Sequence, residues 1–212
     1  LVGSEMCIRD RDVSSVTDMS NMFQSANAFT QDLSDWDTSS LTRLYRTFYT
    51  SNANPKVANW DVSRVTSMSE VFSHAYSFNQ DISSWDVSSV TTMENMFMRA
   101  EKFNQPLNKW NTSKVTNMSG MFEDAKRFNQ PITKWDVSKV TNMASMFAKA
   151  FDFNKPLKWD TSNVTDMNHM FYHAEEFNQD IGDWDTSKVT DISYMFYYAK
   201  SFNQYLGYWN MS

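Results

Sequence analysis

Residues 85–109 read WDVSSVTTMENMFMRAEKFNQPLNK, and close variants of this segment recur along almost the whole chain. The recurrence is clearest for tryptophan, because all tryptophans belong to one series with spacings of 24 or 25 residues. The series comprises Trp36, Trp60, Trp85, Trp110, Trp135, Trp159, Trp184 and Trp209. A fixed period of this length is typical of proteins in which each unit buries its apolar side chains against neighbouring units. We therefore predict that residues 12–212 form a single solenoid of about eight repeats, truncated at both ends.

The apolar residues in the first half of each unit fit one face of a short α-helix. In one unit they are Val90, Met93, Met96, Phe97, Ala100 and Phe103. Thr91 and Glu94 match a capping box at the start of this helix. The second half, 106–112, is typical of a short strand, with Asn104 and Gln105 in the turn between. The sequence thus predicts an α/β repeat solenoid that is leucine-rich-repeat-like, with one short strand and one short helix per coil.

Stacking of such coils places equivalent residues on one another, so recurring residues form columns. The tryptophans form one column, which we interpret as structural. An asparagine after the phenylalanine forms a second column, which we interpret as a ladder that pairs buried backbone groups at the turn. Its members are Asn79, Asn104, Asn129, Asn154, Asn178 and Asn203.

An aspartate after each tryptophan forms a third column. It contains Asp37, Asp61, Asp86, Asp136, Asp160 and Asp185. One hypothesis is a calcium-binding stripe, since hard cations prefer several carboxylate oxygens. The alternative is that each aspartate accepts hydrogen bonds from its own turn. Asn111 at the same position favours the turn, because asparagine makes it without a charge.

The sequence contains no recognisable catalytic site. It has no phosphate-binding loop and no nucleophile paired with a base, and each candidate carboxylate recurs in several units. His169 and His173 have the spacing of a metal-binding pair on a helix. However, the position of His173 is occupied by Arg99 and Asp124 in other units, which favours an exposed variable position. We predict that the protein is not an enzyme and has no catalytic residue, metal site or cofactor.

Charge and hydrophobicity argue against nucleic-acid binding and against a transmembrane segment. The net charge of −6 argues against nucleic acid, which requires a basic surface. No run of 18 apolar residues is present, so the sequence predicts no transmembrane segment.

Residues 1–11 differ from the rest of the chain. Leu1 to Asp10 back-translates into a string that resembles a common transposase-type sequencing adapter, and the next bases permit Arg11. We predict that this segment is an untrimmed adapter artefact and disordered; the alternative is a genuine N-terminal tail. Cys7 is the only cysteine of the chain, so the remaining sequence offers no disulfide, catalytic thiol or cysteine zinc site.

The string W-D-V-S-x-V-T-x-M-x-x-M-F-x-x-A-x-x-F-N resembles the mycoplasma-type surface-protein repeat family of unknown function and the BspA-like branch of leucine-rich repeats. The resemblance covers residues 12–212. It implies an extracellular or cell-surface location and an adhesive role without catalytic residues. The unit 36–59 departs most, since Thr47 replaces a methionine and the segment 51–54 lacks the phenylalanine. We expect this coil to be the weakest and Thr47→Met to stabilise it.

Two functions remain open. The first is a non-catalytic cell-surface or secreted scaffold for recognition or adhesion, which binds an unknown protein or glycan through exposed variable positions. The second is a purely structural spacer within a larger surface protein. A tyrosine cluster favours binding; it consists of Tyr172, Tyr194, Tyr197, Tyr198, Tyr205 and Tyr208. Because a solenoid without polar caps exposes apolar residues at both ends, we also expect the isolated chain to self-associate end to end or to fray at its terminal coils.

Overall fold

The computed structural model describes residues 12–210, which form a column of stacked coils. Backbone hydrogen bonds and ring contacts join residues one repeat apart, such as Thr116 N–H with the Thr91 carbonyl and Trp110 with Trp135. The predicted adapter segment, 1–11, lies outside the described residues.

The predicted α/β architecture with a short helix and a short strand in each coil is wrong. Residues 12–210 contain no α-helix and no extended strand. Isolated parallel β-bridges join residues of successive coils, namely Asp18 with Arg43, Ser67 with Thr92, Thr92 with Asn117, Asn117 with Asn142, Asn142 with Asp166, and Asp166 with Asp191. The leucine-rich-repeat-like assignment is therefore also wrong, and tight turns make up most of each coil.

The segment that the sequence predicts as a helix is a series of turns closed by hydrogen bonds over three residues. Met96 N–H donates to the Met93 carbonyl at 3.1 Å, and Ala100 N–H donates to the Phe97 carbonyl at 2.9 Å. Asn95 and Arg99 have left-handed backbones, with φ of 51° and 57°. An α-helix requires right-handed φ at every residue and bonds over four residues, so these two residues interrupt it.

The N–H groups between these turns point along the column to the next coil. Asn95 N–H donates to the Ser119 carbonyl at 2.9 Å, and Phe97 N–H donates to the Met121 carbonyl at 2.9 Å. Four such bonds run in the same direction at six of the seven junctions between described coils. The backbone bonds between equivalent threonines run in the opposite direction, from the later coil to the earlier one. For example, Thr116 N–H donates to the Thr91 carbonyl at 2.8 Å. Successive coils are thus joined by a directional set of backbone bonds.

Aromatic columns fill the interior. Phe97 and Phe122 stack with ring centroids 5.6 Å apart, and Trp110 and Trp135 stack with centroids 6.3 Å apart. The Trp110 indole N–H donates to the Ile82 carbonyl, 28 residues earlier in the chain, at 3.1 Å. The equivalent bond is made by Trp60, Trp85, Trp135, Trp159, Trp184 and Trp209. One hydrophobic cluster therefore runs from the first described coil to the last.

The coil 36–59 keeps this plan with smaller side chains. Thr47 is fully buried, and its hydroxyl oxygen lies 2.7 Å from the Leu44 carbonyl oxygen and 3.1 Å from the Met19 carbonyl oxygen, so these two acceptors share its single hydrogen. Asn54 accepts a hydrogen bond from Asn79 N–H and is therefore the ladder asparagine of this coil. Ala53, which precedes it, occupies the position that phenylalanine has in other coils. The junction to the next coil has three axial backbone bonds instead of four. These features agree with a weaker coil, and its lower stability stays a prediction.

Candidate functional site: the variable face

The left-handed turns generate a face on which side chains vary from coil to coil. In each coil this variable face consists of the two left-handed residues and the residue before the second one, such as Asn95, Met98 and Arg99. Among the left-handed residues, Gly120 is buried and the others are partly or fully exposed. Because the turns are held by backbone bonds, this face presents different side chains on one constant backbone.

A C-terminal aromatic patch lies on this face. It consists of His169, Tyr172, His173, Tyr194, Tyr197 and Tyr198. Its rings stack in pairs between the last two coils: His169 on Tyr194 at 5.0 Å, Tyr172 on Tyr197 at 5.3 Å, and His173 on Tyr198 at 4.7 Å.

The patch presents ring edges to the side of the column. The stacking direction follows the column, so the ring faces between the two coils cover each other. Tyr194, Tyr197 and Tyr198 are 61%, 47% and 55% exposed. The patch therefore offers phenol hydroxyls at its side.

The six tyrosines of the predicted cluster fall into two groups. Tyr205 and Tyr208 contact each other at a centroid distance of 5.5 Å, and no ring contact among the described residues joins them to the patch. His169 and His173 also belong to the patch, which was not predicted from the sequence. The available signal was their position, since each lies 25 residues before Tyr194 or Tyr198 in the same column.

The histidines do not form the metal pair that helical spacing suggested. No helix is present, and His169 Nδ1 lies 3.0 Å from Asn168 Oδ1. Within residues 12–210, no group of three histidine, cysteine, aspartate or glutamate side chains is arranged to hold a metal ion. Both imidazoles stack on tyrosine rings of the next coil, His169 on Tyr194 and His173 on Tyr198.

A second cluster lies near the N-terminal end of the same face. Arg46 donates from Nε and Nη2 to the Glu70 carboxylate at 2.9 and 3.0 Å, and Tyr45 donates its hydroxyl to Glu70 at 3.3 Å. The Arg46 guanidinium lies 4.7 Å from the centroid of the Tyr49 ring. The hydrogen bonds to Glu70 raise the pKa of Arg46, and burial is the main cause of a raised pKa at Tyr45. The charges of this cluster are paired internally, and the cluster was not predicted from the sequence.

Partly buried charges lie between the two clusters. Burial raises the pKa of Glu123 even though Lys149 and Arg99 lie nearby. Burial and the charge of Arg99 lower the pKa of His74. The centre of the variable face therefore favours neutral forms of these two groups.

The aspartate column is built from turns. Ser88 N–H donates to Asp86 Oδ1 at 3.0 Å. Each of the other aspartates in the column likewise accepts a hydrogen bond from the backbone N–H of the serine two residues later. Asn111 accepts the equivalent bond from Ser113 N–H at 3.2 Å. The hydrogen bonds from Ser88 lower the pKa of Asp86, which keeps the carboxylate charged without a cation. These residues do not fit a calcium site, because no three carboxylates among the described residues converge on one point.

The asparagine column lies beside the core and links successive coils. Asn104 Oδ1 accepts hydrogen bonds from Asn129 N–H at 3.0 Å and from Gln130 Nε2 at 3.0 Å. Each asparagine from Asn54 to Asn178 accepts a backbone N–H from the next one in the column. The ladder thus pairs one backbone N–H in each of these coils through a side chain.

Comparison with known protein families gives one match. The family described as Mycoplasma protein of unknown function, DUF285, matches residues 4–54, 45–158 and 131–212. The three overlapping matches confirm the tandem repetition. No curated protein and no solved structure matches the chain. Among the described residues, no helix is long and apolar enough to cross a membrane.

Proposed function

The chain belongs to the mycoplasma-type family of unknown function DUF285, and we propose that it is a non-catalytic recognition or adhesion scaffold at a cell surface. The proposal includes the BspA-like relationship of the repeat and a location outside the cell. The ligand is a protein or a glycan that contacts the variable face.

The observation that supports this proposal most is the exposure of the C-terminal aromatic patch. Large aromatic side chains at the surface are enriched where proteins bind partners. Tyrosine suits such a role, because it offers a large rigid contact area and a hydroxyl at a small entropic cost. Here three neighbouring tyrosines of one coil, Tyr194, Tyr197 and Tyr198, are about half exposed.

The backbone supports the same role. A column held by directional hydrogen bonds and stacked rings keeps the patch in a defined position before any ligand binds. Preorganised contacts lose less entropy on binding than mobile ones. A structural spacer, the alternative function, has no need for large aromatic side chains on one face.

A binding comparison between two variants tests the proposal. One variant carries Tyr194→Ser, Tyr197→Ser and Tyr198→Ser, and its control carries Tyr205→Ser and Tyr208→Ser outside the patch. Both are applied, with the unmodified chain, to printed glycan arrays and to immobilised extracellular-matrix proteins. We expect a glycan or matrix protein to retain the chain and the control, and to lose at least tenfold of the signal with the patch variant.

Two results would count against a recognition role for this patch. One is that neither surface retains the unmodified chain, which favours the spacer. The other is that the patch variant and its control bind equally. The surface location is tested separately, by the susceptibility of the protein to protease added to intact cells of its host.

A further inference from the structure

Three successive coils in the middle of the column carry a lysine in the turn that leads to the tryptophan. Lys109, Lys134 and Lys158 each immediately precede a tryptophan, and all three are exposed. At the same position, the coil that follows them has Asp183 and an earlier coil has Asp35. These three coils therefore place positive charge where other coils place negative charge, in a protein whose net charge is −6.

A second change in the same turn removes negative charge from these coils. They have proline near the start of the turn where three other coils have aspartate, namely Pro106, Pro131 and Pro156 in place of Asp32, Asp81 and Asp180. Asp81 Oδ1 accepts the Ser83 N–H at 2.9 Å, which closes its turn. Proline fixes the backbone of a turn without such a bond. The loss of a carboxylate and the gain of an ammonium group thus shift the local charge in the same direction.

Lys155 adds a fourth positive charge to this surface. Its position is occupied by glutamine in the two neighbouring coils, where Gln130 and Gln179 donate to ladder asparagines at 3.0 and 2.7 Å. The Lys155 ammonium group makes no hydrogen bond within residues 12–210. We call Lys109, Lys134, Lys155 and Lys158 the lysine strip.

Aspartates of the same three coils only partly offset the strip. Asp136 and Asp160 accept the N–H groups of Ser138 and Ser162 at 3.0 and 3.1 Å, and Asn111 replaces the aspartate in the coil of Lys109. From the ladder asparagine to the residue after the tryptophan, the three coils hold four lysines and two aspartates, an excess of two positive charges. The corresponding segments of the flanking coils, 79–86 and 178–185, hold two and three aspartates and no lysine.

Charged side chains elsewhere on the column are paired between neighbouring coils. All seven ion pairs of residues 12–210 join residues 24 or 25 positions apart, as in Lys126 with Glu101 at 2.7 Å. No lysine of the strip forms an ion pair there. Each has another lysine one coil away instead, and like charges at that separation repel. The strip therefore lacks the carboxylate partners that the rest of the described column provides.

An open cleft of about 410 Å³ lies at the N-terminal end of the strip. It is lined by Asp81, Ser83, Pro106, Asn108, Lys109 and Lys134. This volume falls within the range of about 300–1,000 Å³ that is usual for ligand sites. Lys134 N–H donates to Asn108 Oδ1 at 2.9 Å, which leaves the Asn108 amide nitrogen available to donate to a ligand. The cleft thus combines two ammonium groups with a carboxylate, an amide and an exposed proline ring.

We propose that the lysine strip and this cleft bind an acidic glycan, a polysaccharide whose sugars carry carboxylates or sulfates. The ammonium groups of the strip bind the anionic groups, while Asp81 and Asn108 form hydrogen bonds with sugar hydroxyls. Pro106 offers an apolar surface to the C–H groups of a sugar ring. No residue of the variable face lines the cleft, so the inference does not rest on the aromatic patch or on the role proposed for it.

The carboxylates around the strip favour a glycan over other polyanions. Asp81 lies at one end of the strip, and Asp183 belongs to the coil beyond the other end. A nucleic acid carries a charge on every nucleotide, so a strand that continued along the column would meet these carboxylates. A peptide rich in acidic residues would likewise bring carboxylates close to Asp81. A glycan carries neutral hydroxyls between its charged groups, and a carboxylate accepts hydrogen bonds from hydroxyls.

Binding to two immobilised polysaccharides tests the proposal. Heparin carries sulfates and carboxylates, and hyaluronan carries carboxylates alone. The strip variant contains Lys109→Gln, Lys134→Gln and Lys158→Gln. Its charge-matched control contains Lys102→Gln, Lys126→Gln and Lys200→Gln, which lie outside the strip and the cleft.

In surface plasmon resonance at low salt, we expect the unmodified chain and the control to bind heparin alike. The strip variant should bind about tenfold more weakly or worse, because it loses three ionic contacts. Binding to hyaluronan as well would show that carboxylates suffice, and binding to heparin alone would show that sulfates are required. Affinity should fall with salt, and less steeply for the strip variant, because fewer bound counterions are released.

A gain of binding can be tested in the same assay. Asp183→Lys extends the strip by one coil, because Asp183 occupies the position of Lys158 in the next coil. Asp35→Lys makes the same change of charge at the same turn position of a distant coil. We expect Asp183→Lys to bind heparin more tightly than the unmodified chain and Asp35→Lys to leave the affinity unchanged.

Near-ultraviolet circular dichroism of each variant establishes that its aromatic columns remain intact. The variant with serine at positions 194, 197 and 198 should bind heparin like the unmodified chain, so failure of this site and failure of the aromatic patch are read separately. The proposal is overturned if neither polysaccharide retains the unmodified chain, or if the strip variant and its control lose affinity equally. It is also overturned if Asp183→Lys and Asp35→Lys bind alike, or if single-stranded DNA or polyglutamate binds as tightly as heparin.

Discussion

Replacing Asn104 by alanine is expected to lower the free energy of unfolding by about 2 kcal/mol. Asn104 Oδ1 accepts from the backbone N–H of Asn129 and from the Gln130 side chain, both at 3.0 Å. Alanine removes this oxygen and leaves the Asn129 N–H without its partner beside the core. Leaving a buried donor unpaired costs about 1–3 kcal/mol, and partial burial of the ladder places the expected value in the middle of that range. The Gln130 amide adds little, because it can turn toward water.

Two controls separate the hydrogen bond from other effects of the substitution. Asn104→Asp keeps an oxygen at the accepting position, and its column neighbours are uncharged, so a loss below about 1 kcal/mol is expected. Asn108→Ala removes an acceptor that serves the more exposed Lys134 N–H at 2.9 Å, and it should also cost less than about 1 kcal/mol.

Urea unfolding at neutral pH measures these differences, and amide exchange locates them. Exchange at Asn129 should accelerate in Asn104→Ala and stay slow in Asn104→Asp, while Asn154 should be unaffected in both. Equal unfolding free energies for the alanine and aspartate variants would refute the argument. So would unchanged exchange at Asn129.

Three further substitutions test a buried hydroxyl, a left-handed residue and a hydrogen-bonded carboxylate. Thr47→Met, which the sequence suggests as stabilising, is expected instead to destabilise by about 1 kcal/mol in urea unfolding, because it removes the buried hydroxyl's hydrogen bond to the Leu44 and Met19 carbonyls and enlarges a fully buried side chain. Ser145→Gly should raise the melting temperature, because Ser145 has φ of 56° and relief of left-handed strain is worth about 1 kcal/mol. Hydrogen bonds from its turn hold the folded-state pKa of Asp86 below the usual 3.8. Its contribution to stability is therefore complete above that pH and lost as pH falls through the folded-state value, so acid titration of Asp86→Asn should show a smaller loss than the unmodified chain.

The candidate site was predictable only where column positions could be aligned. Tyr172 and Tyr197 lie one repeat apart, and the structure stacks them. The contact between Arg46 and Glu70 was not predictable, because charged residues in variable columns do not indicate which neighbours they pair with. Tyr205 was grouped with the patch from proximity along the chain, whereas its position in the coil places it elsewhere.

The amino-acid sequence by itself determined the period of the repeat and which side chains are buried. The six residues assigned to the apolar face of a helix, from Val90 to Phe103, are all fully buried. Hydrophobic spacing reports which side of the chain faces the core, and both a helix and a series of three-residue turns satisfy that spacing. Tertiary structure decided between them. In one isolated coil, the N–H of Asn95 could only bond locally, whereas in the column the Ser119 carbonyl of the next coil lies 2.9 Å away. The neighbouring coil thus supplies the acceptor that the preceding turn of a helix would otherwise provide. Its position also sets the direction of the bonds that Asn95 and its equivalents make along the column.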